Sequence, residues 1–176
     1  MADEKNNWEL TVNSCMDGLF NPARDACLRL EYSKLSSIDR VTIAGGPLPL
    51  ILGEEFEIKA YWLNMDVSFQ SHVVEKYVLI THKGCGYVKL KGVKFHSESE
   101  ELGWHINQLE KSGKKLLEKY GDSIEVRLMW EARDGDIYSL YEAGCITNGE
   151  VVVHGDENGD PFGRLRLICS INIEEM

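Results

Sequence analysis

Two cysteines and a histidine are the residues whose types and spacing could do chemistry together. Cys15 stands in Cys15-Met16-Asp17, and His82 and Cys85 stand in His82-Lys83-Gly84-Cys85. Two thiolates and an imidazole are preferred zinc ligands, and three protein ligands leave a fourth position open for water or substrate. Such soft and borderline donors suit Zn2+ rather than Mg2+ or Ca2+. Cys15, His82 and Cys85 are therefore the expected metal ligands. Gly84 and Gly86 leave the backbone around the second pair unhindered.

The elements that must bring these halves together are strands. Residues 8–12 and 77–81 are apolar, β-branched runs, and each leads straight into one half of the set. Open α/β sheets gather their ligands at the carboxyl ends of strands, so the sequence distance between the halves need not separate them in space. Asn21-Pro22 reads as a helix cap with proline at the first helical position, followed by Ala23, Ala26, Cys27 and Leu30 at helical spacing. Residues 40–43 form the next strand, and Ala44-Gly45-Gly46-Pro47 turns it. Glycine there permits positive φ and close backbone approach to a ligand.

Further along, 54–74 is helical with Phe56, Ala60, Tyr61 and Leu63 on one face and a break near 64–66. Residues 77–81 read as a buried parallel strand. Leu102, Ile106, Leu109, Leu116, Leu117 and Tyr120 mark a long amphipathic helix, interrupted at Ser112-Gly113. A strand over 124–130 turns at Asp134-Gly135 into 137–141. Asn148-Gly149 signals a two-residue hairpin between Cys145-Ile146 and 151–153, and 165–173 is one more strand. The expected architecture is one α/β domain over 1–176, with a central, mostly parallel sheet flanked by helices and an added C-terminal hairpin with edge strands.

The order of a Cys-x-Asp turn, an Ala44-Gly45-Gly46 turn after a strand, and a His-x-x-Cys-Gly turn resembles the β-class carbonic anhydrases. The resemblance covers 8–141 in order of elements, with residue-level matches confined to the short motifs. It implies a three-layer fold, zinc on Cys15, His82 and Cys85, Asp17 controlling the fourth position, and the Gly45-Gly46 backbone bounding the substrate pocket. It also implies a small-molecule substrate, namely hydration of carbon dioxide to bicarbonate, and a homodimer or higher homo-oligomer. Zinc would lower the pKa of a bound water from about 15.7 toward 7 and so present hydroxide at neutral pH. Phe20, Ile43 and Leu48 make the expected pocket apolar, which also admits carbonyl sulfide or carbon disulfide.

Two motifs depart from the pattern, at four positions. The family's Cys-x-Asp-Ser-Arg is here Cys15-Met16-Asp17-Gly18-Leu19, and its Arg-Asn-Ala-Gly is Thr42-Ile43-Ala44-Gly45. Asp17 then has three readings: it orients the zinc-activated water, it occupies the fourth position and closes a non-catalytic zinc site, or it caps the following helix. Lacking the guanidinium, its carboxylate has a dication as its strongest nearby substitute, which favours a role at the metal. Arg24 offers a replacement for the missing cation if it reaches back to Asp17, but it falls on the helix and is expected to be solvated.

Composition narrows the partners. A formal net charge of −10 disfavours nucleic acid and anionic membrane, both of which would repel such a surface. No apolar run is long enough to span a bilayer, and the first residues lack the order of a secretory signal, so a cytoplasmic location is expected. Five cysteines is an odd number, and reduced thiols are expected, with Cys27, Cys145 and Cys169 serving as small core residues. Lys111, Lys114 and Lys115 with Glu98, Glu100 and Glu101 read as a solvated helix face. Asp156, Asn158 and Asp160 resemble the start of a calcium loop, but Pro161 stands where such a loop needs glycine, so a polar turn is expected. His72, His96, His105 and His154 offer no placed proton shuttle.

Overall fold

The computed structural model describes residues 8–33, 35, 37–134, 137–147, 150–153 and 165–172. In chain order these form β1 (Leu10–Cys15), a 3-10 turn (Gly18–Phe20), α1 (Asn21–Glu31), β2 (Ile38–Ile43), α2 (Pro49–Leu52) and α3 (Glu55–Asp66). A π-helical turn (Val67–Ser71), β3 (Lys76–His82), α4 (Gly86–Leu90) and α5 (Glu98–Tyr120) follow, and then β4 (Glu125–Asp134), β5 (Ile137–Thr147), β6 (Glu150–Val153) and β7 (Arg166–Asn172).

One sheet runs β2-β1-β3-β4-β5-β6, with β7 also on β5. The pairs β2–β1, β1–β3 and β3–β4 are parallel, and every pair involving β5 is antiparallel. β6 pairs with 144–147 of β5 and β7 with 137–142, so the two share one edge end to end. The expected C-terminal addition is therefore present. Its Asn148-Gly149 turn lies outside the described residues, but Thr147 faces Glu150 across it, as a two-residue connection requires. The 156–160 segment and His154 also lie outside the described residues.

The sheet is covered on both faces, which defines three layers. Leu10, Val12, Val78, Ile80 and Met129 pack beneath Cys27 and Leu28 of α1. Tyr77, Leu79, Val126, Leu128 and Trp130 face Leu102, Ile106, Leu109 and Leu116 of α5 on the other side, with Tyr61 and Met65 of α3. Trp8, Leu10 and Val12 alternate with polar Glu9, Thr11 and Asn13 in the sequence, but β1 has no solvent face, because all six of its residues are buried. Its polar members are used internally: Asn13 Nδ2 donates to Val41 O at 2.8 Å, and Tyr61 Oη donates to Asn13 Oδ1 at 3.0 Å.

Several expectations are corrected. α5 runs unbroken through Ser112-Gly113, since both are buried and a Cβ on Gly113 would lie 2.6 Å from Ile146 Cδ1. Glycine there lets the helix approach the sheet. The buried face of α1 is Ala23, Arg24, Cys27 and Leu28, while Leu30 is exposed. On α3 the buried residues are Tyr61 and Met65, and Phe56 and Leu63 point outward. Cys27 and Cys169 are joined in a disulfide that ties α1 to β7, against the expectation of reduced thiols. That pairing removes the thiol-count argument for a reducing compartment. No helix among the described residues is long and apolar enough to cross a membrane.

Candidate metal centre

β2, β1 and β3 are parallel neighbours, so their carboxyl ends bring the turn after Ile43, Cys15 and His82 side by side. Cys85 follows His82 by one tight turn in which Gly84 has φ +73°. The ligand atoms of Cys15, His82 and Cys85 lie within 4.8 Å of one another, and all three residues are buried. The two sulfurs are 4.0 Å apart. Thiolates each about 2.3 Å from one tetrahedral ion would lie about 3.8 Å apart, so the pair fits zinc with little movement.

His82 completes the fit. Its Nδ1 pairs with Lys83 O at 3.0 Å, and a carbonyl can only accept, so in the neutral ring Nδ1 carries the proton and Nε2 the lone pair. Nε2 is buried without a hydrogen-bond partner among the described residues. Leaving such an atom unpaired is costly unless a metal or other acceptor of its lone pair takes it up. The Phe20 ring lies 4.4 Å from the imidazole and fixes its tilt.

The glycine turn supports the sulfur. Gly45 N–H donates to Cys15 Sγ at 3.3 Å. Gly45 and Gly46 have φ of +79° and +59°, and Tyr87 packs against the first so closely that a Cβ would lie 2.5 Å from its ring. The backbone amides of Asp17 beside Cys15, and of Val88 and Tyr87 beside Cys85, also favour the thiolate form of each sulfur. Without metal the thiols divide their protons unequally. The hydrogen bond from Cys85 pulls the Cys15 pKa down to about 4 against the opposing effect of burial, and His82 adds to the fall. Cys85 moves the other way, first because it donates to Cys15 and then through burial. Burial lowers the His82 pKa, but the neighbouring Cys15 thiolate outweighs it and the net shift is upward.

Asp17 sits two residues beyond Cys15, half-buried, and is not among the clustered ligand atoms. Its Oδ1 accepts from Leu19 N–H at 3.1 Å, capping the 3-10 turn rather than the longer helix.

Arg24 is a correction and a residue that pattern reading missed. It is buried and does reach back toward the site, yet its partner is Glu131 and not Asp17. Nε and Nη2 donate to Glu131 Oε1 and Oε2 at 2.7 Å each, and Nη1 donates to Ser14 Oγ at 2.9 Å and Cys15 O at 3.2 Å. The signal was available: Arg24 stands three residues before Cys27 and four before Leu28, on the same helical face.

The face read as solvated also turns inward at one end. Glu101 Oε1 accepts from Gly84 N–H at 2.7 Å and lies 3.8 Å from Nε2 of His105. His105 is fully buried, and burial lowers its pKa although Glu101 opposes the shift. Glu98 pairs with Lys83, and Lys115 Nζ donates to Leu50 O.

No protein-family model and no curated protein matches the sequence. Solved structures do match in shape. β-Carbonic anhydrase isoform I of Trichomonas vaginalis superposes with a TM-score of 0.51 at 12% identity, covering 78% of this chain and 84% of that one. An apo form of carbon disulfide hydrolase gives 0.40 at 16% identity over 72% and 75%. A structure from a pair of tetrameric β-carbonic anhydrases of the ascomycete Sordaria macrospora gives 0.42 at 10% identity over 94% and 83%. At such identities likeness speaks to fold alone, and here the first match defines it: this is an α/β chain of β-carbonic-anhydrase-like architecture. A Cys-His-Cys cluster able to hold a metal lies at the carboxyl end of its parallel strands.

Proposed function

We propose that this chain is a zinc-dependent, carbonic-anhydrase-like enzyme that hydrates carbon dioxide to bicarbonate, with zinc held by Cys15, His82 and Cys85. The observation that carries the reading is the buried clustering of His82 with the Cys15 and Cys85 thiols, whose ligand atoms all lie within 4.8 Å of one another. Zinc, when bound there, supplies the Lewis acidity that activates water near neutral pH. The residues around it do the remaining work. N–H donors on Cys15 and Cys85 take up part of the thiolate charge, so the sulfurs donate less and leave more acidity at the metal. Asp17 Oδ2, which bonds to none of the described residues, is the acceptor that orients the attacking water and holds its proton. Phe20 and the Gly45-Gly46 backbone wall the substrate position.

A second reading follows from Asp17 itself. With only the Leu19 amide on its carboxylate among the described residues, Asp17 can become a fourth ligand and close a structural, non-catalytic site. The reading also includes a homo-oligomer. Phe56 and Leu63 of α3, with Val67 at the start of the π-helical turn, are exposed apolar residues at 72%, 67% and 46% exposure. Phe56 borders a pocket of about 190 Å³ lined by Ala44 and Tyr87 beside the glycine turn.

Metal analysis and stopped-flow carbon dioxide hydration across pH on zinc-loaded protein test the proposal. One zinc per chain and a rate above buffer that is lost in Cys85→Ser are expected. Zinc that survives Cys85→Ser overturns the ligand set, and a fully loaded chain with no rate at any pH leaves the closed-site reading.

A further inference from the structure

The buried Arg24–Glu131 pair has no step in the chemistry above, yet its two ends reach both halves of the ligand set. The side chains are 2% and 5% exposed. At one end Arg24 Nη1 donates to Cys15 O at 3.2 Å, to Ser14 Oγ at 2.9 Å and to Asn21 Oδ1 at 3.1 Å. At the other, Glu131 is the register partner of His82 across β3 and β4, and its carbonyl accepts from Lys83 N–H at 2.9 Å. Lys83 O in turn holds His82 Nδ1 at 3.0 Å. The guanidinium therefore spans from β1 to β4 over β3, along the face that α1 covers. Burying two charges costs about as much as their attraction returns, so stability alone gives this pair weak justification.

We infer that Arg24 and Glu131 are positioning residues that fix the separation of Cys15 from His82 and so prepare the site for its metal. The inference rests on the zinc reading above. A bidentate guanidinium fork is suited to this role because it sets distance and angle together.

The test uses the full chain, with zinc affinity from competition against a chromophoric chelator and the visible spectrum of the Co2+ form. The double variant Arg24→Met with Glu131→Leu keeps volume while removing both charges. Its metal-free thermal midpoint should stay near the parent's, while zinc affinity falls about 10- to 100-fold and the cobalt–thiolate bands change. Arg24→Lys, which keeps the charge but loses the fork, should also bind zinc more weakly. A double variant with parental affinity and spectrum overturns the inference. If that variant does not fold, Glu131→Gln decides by the same two readouts, and parental values in it overturn the inference equally. A parent chain that takes up no zinc overturns both this inference and the reading beneath it, whereas a zinc-binding parent with indifferent variants overturns the positioning role alone.

Discussion

Leu19 donates its backbone N–H to Asp17 Oδ1 at 3.1 Å, at the place where the family this sequence resembles carries an arginine side chain. A peptide dipole thus occupies one carboxylate oxygen in place of a guanidinium. The Leu19 side chain is 46% exposed, so a longer side chain has room there. In Leu19→Arg the guanidinium should engage Asp17 with a charge-assisted contact and keep the carboxylate off the metal. Hydration by the zinc-loaded variant should rise about tenfold, which corresponds to about 1.4 kcal/mol of barrier. Stopped-flow rates check this, and a fully loaded variant with the parental rate would show that Asp17 does not limit the site.

The metal-free protein should carry one thiolate per chain at pH 6, read as absorbance near 240 nm, and Cys15→Ser should remove it. Cys15 titrates at about 4 in the fold against 9.0 as a free thiol, while Cys85 keeps its proton. A depressed acid pKa stabilises the fold fully above the unfolded value, and that contribution is lost as pH falls through the folded one. His82, raised from 6.5, contributes in the opposite sense: its stabilisation is complete below 6.5 and lost as pH rises through its folded pKa. The two slopes oppose each other above 6.5, so metal-free stability should fall most steeply between about 6.5 and 4. Chelator-treated protein melted across that range provides the measurement, and a flat profile would count against a thiolate at Cys15.

The Cys15-His82-Cys85 cluster was legible because Cys15 and His82 end strands: an apolar run leading into each places it at a carboxyl edge wherever the runs fall in the chain. The parallel core and the C-terminal strands were legible for a similar reason, through period and turn chemistry. What escaped reading depends on partners distant in sequence. Thr11 and Asn13 look solvent-facing until β1 is known to be covered on both sides. Arg24 looks solvated until Glu131, the buried carboxylate that follows Leu128-Met129-Trp130 in β4, is set opposite it. Gly113 looks like a helix break until Ile146 presses against it. Propensity gives way in each case to a contact that only the assembled sheet creates.

The Cys27–Cys169 bond joins residues 142 positions apart, and no local spacing announces it. It fastens β7 to α1, the helix that carries Arg24. Thiol titration of denatured protein should find three free cysteines, Cys15, Cys85 and Cys145, and five after reduction. Cys169→Ser should lower stability by about 2 to 5 kcal/mol, as loss of a native cross-link closing a long loop does. Five free thiols before reduction, or an unchanged unfolding midpoint in the variant, would contradict the bond.

Two glycines with positive φ separate backbone strain from packing at the site. Gly84 has φ +73° with nothing within 4 Å of where a Cβ would stand, so Gly84→Ala should cost only the left-handed conformation, about 1 to 2 kcal/mol. Gly46 has φ +59°, and a Cβ there would lie 2.8 Å from Ile80 O and 2.9 Å from Cys15 N. These are backbone atoms of β3 and β1, and they cannot yield without parting the strands that bring Cys15 to His82. Gly46→Ala should therefore cost about 1 to 3 kcal/mol beyond the strain term. It should also weaken zinc binding, because moving Cys15 N carries the Sγ with it. Thermal unfolding and chelator competition on the two variants decide the matter. If Gly46→Ala is no less stable than Gly84→Ala and binds zinc as the parent does, then close approach of the glycine turn to β1 is not what holds the Cys15 sulfur in place.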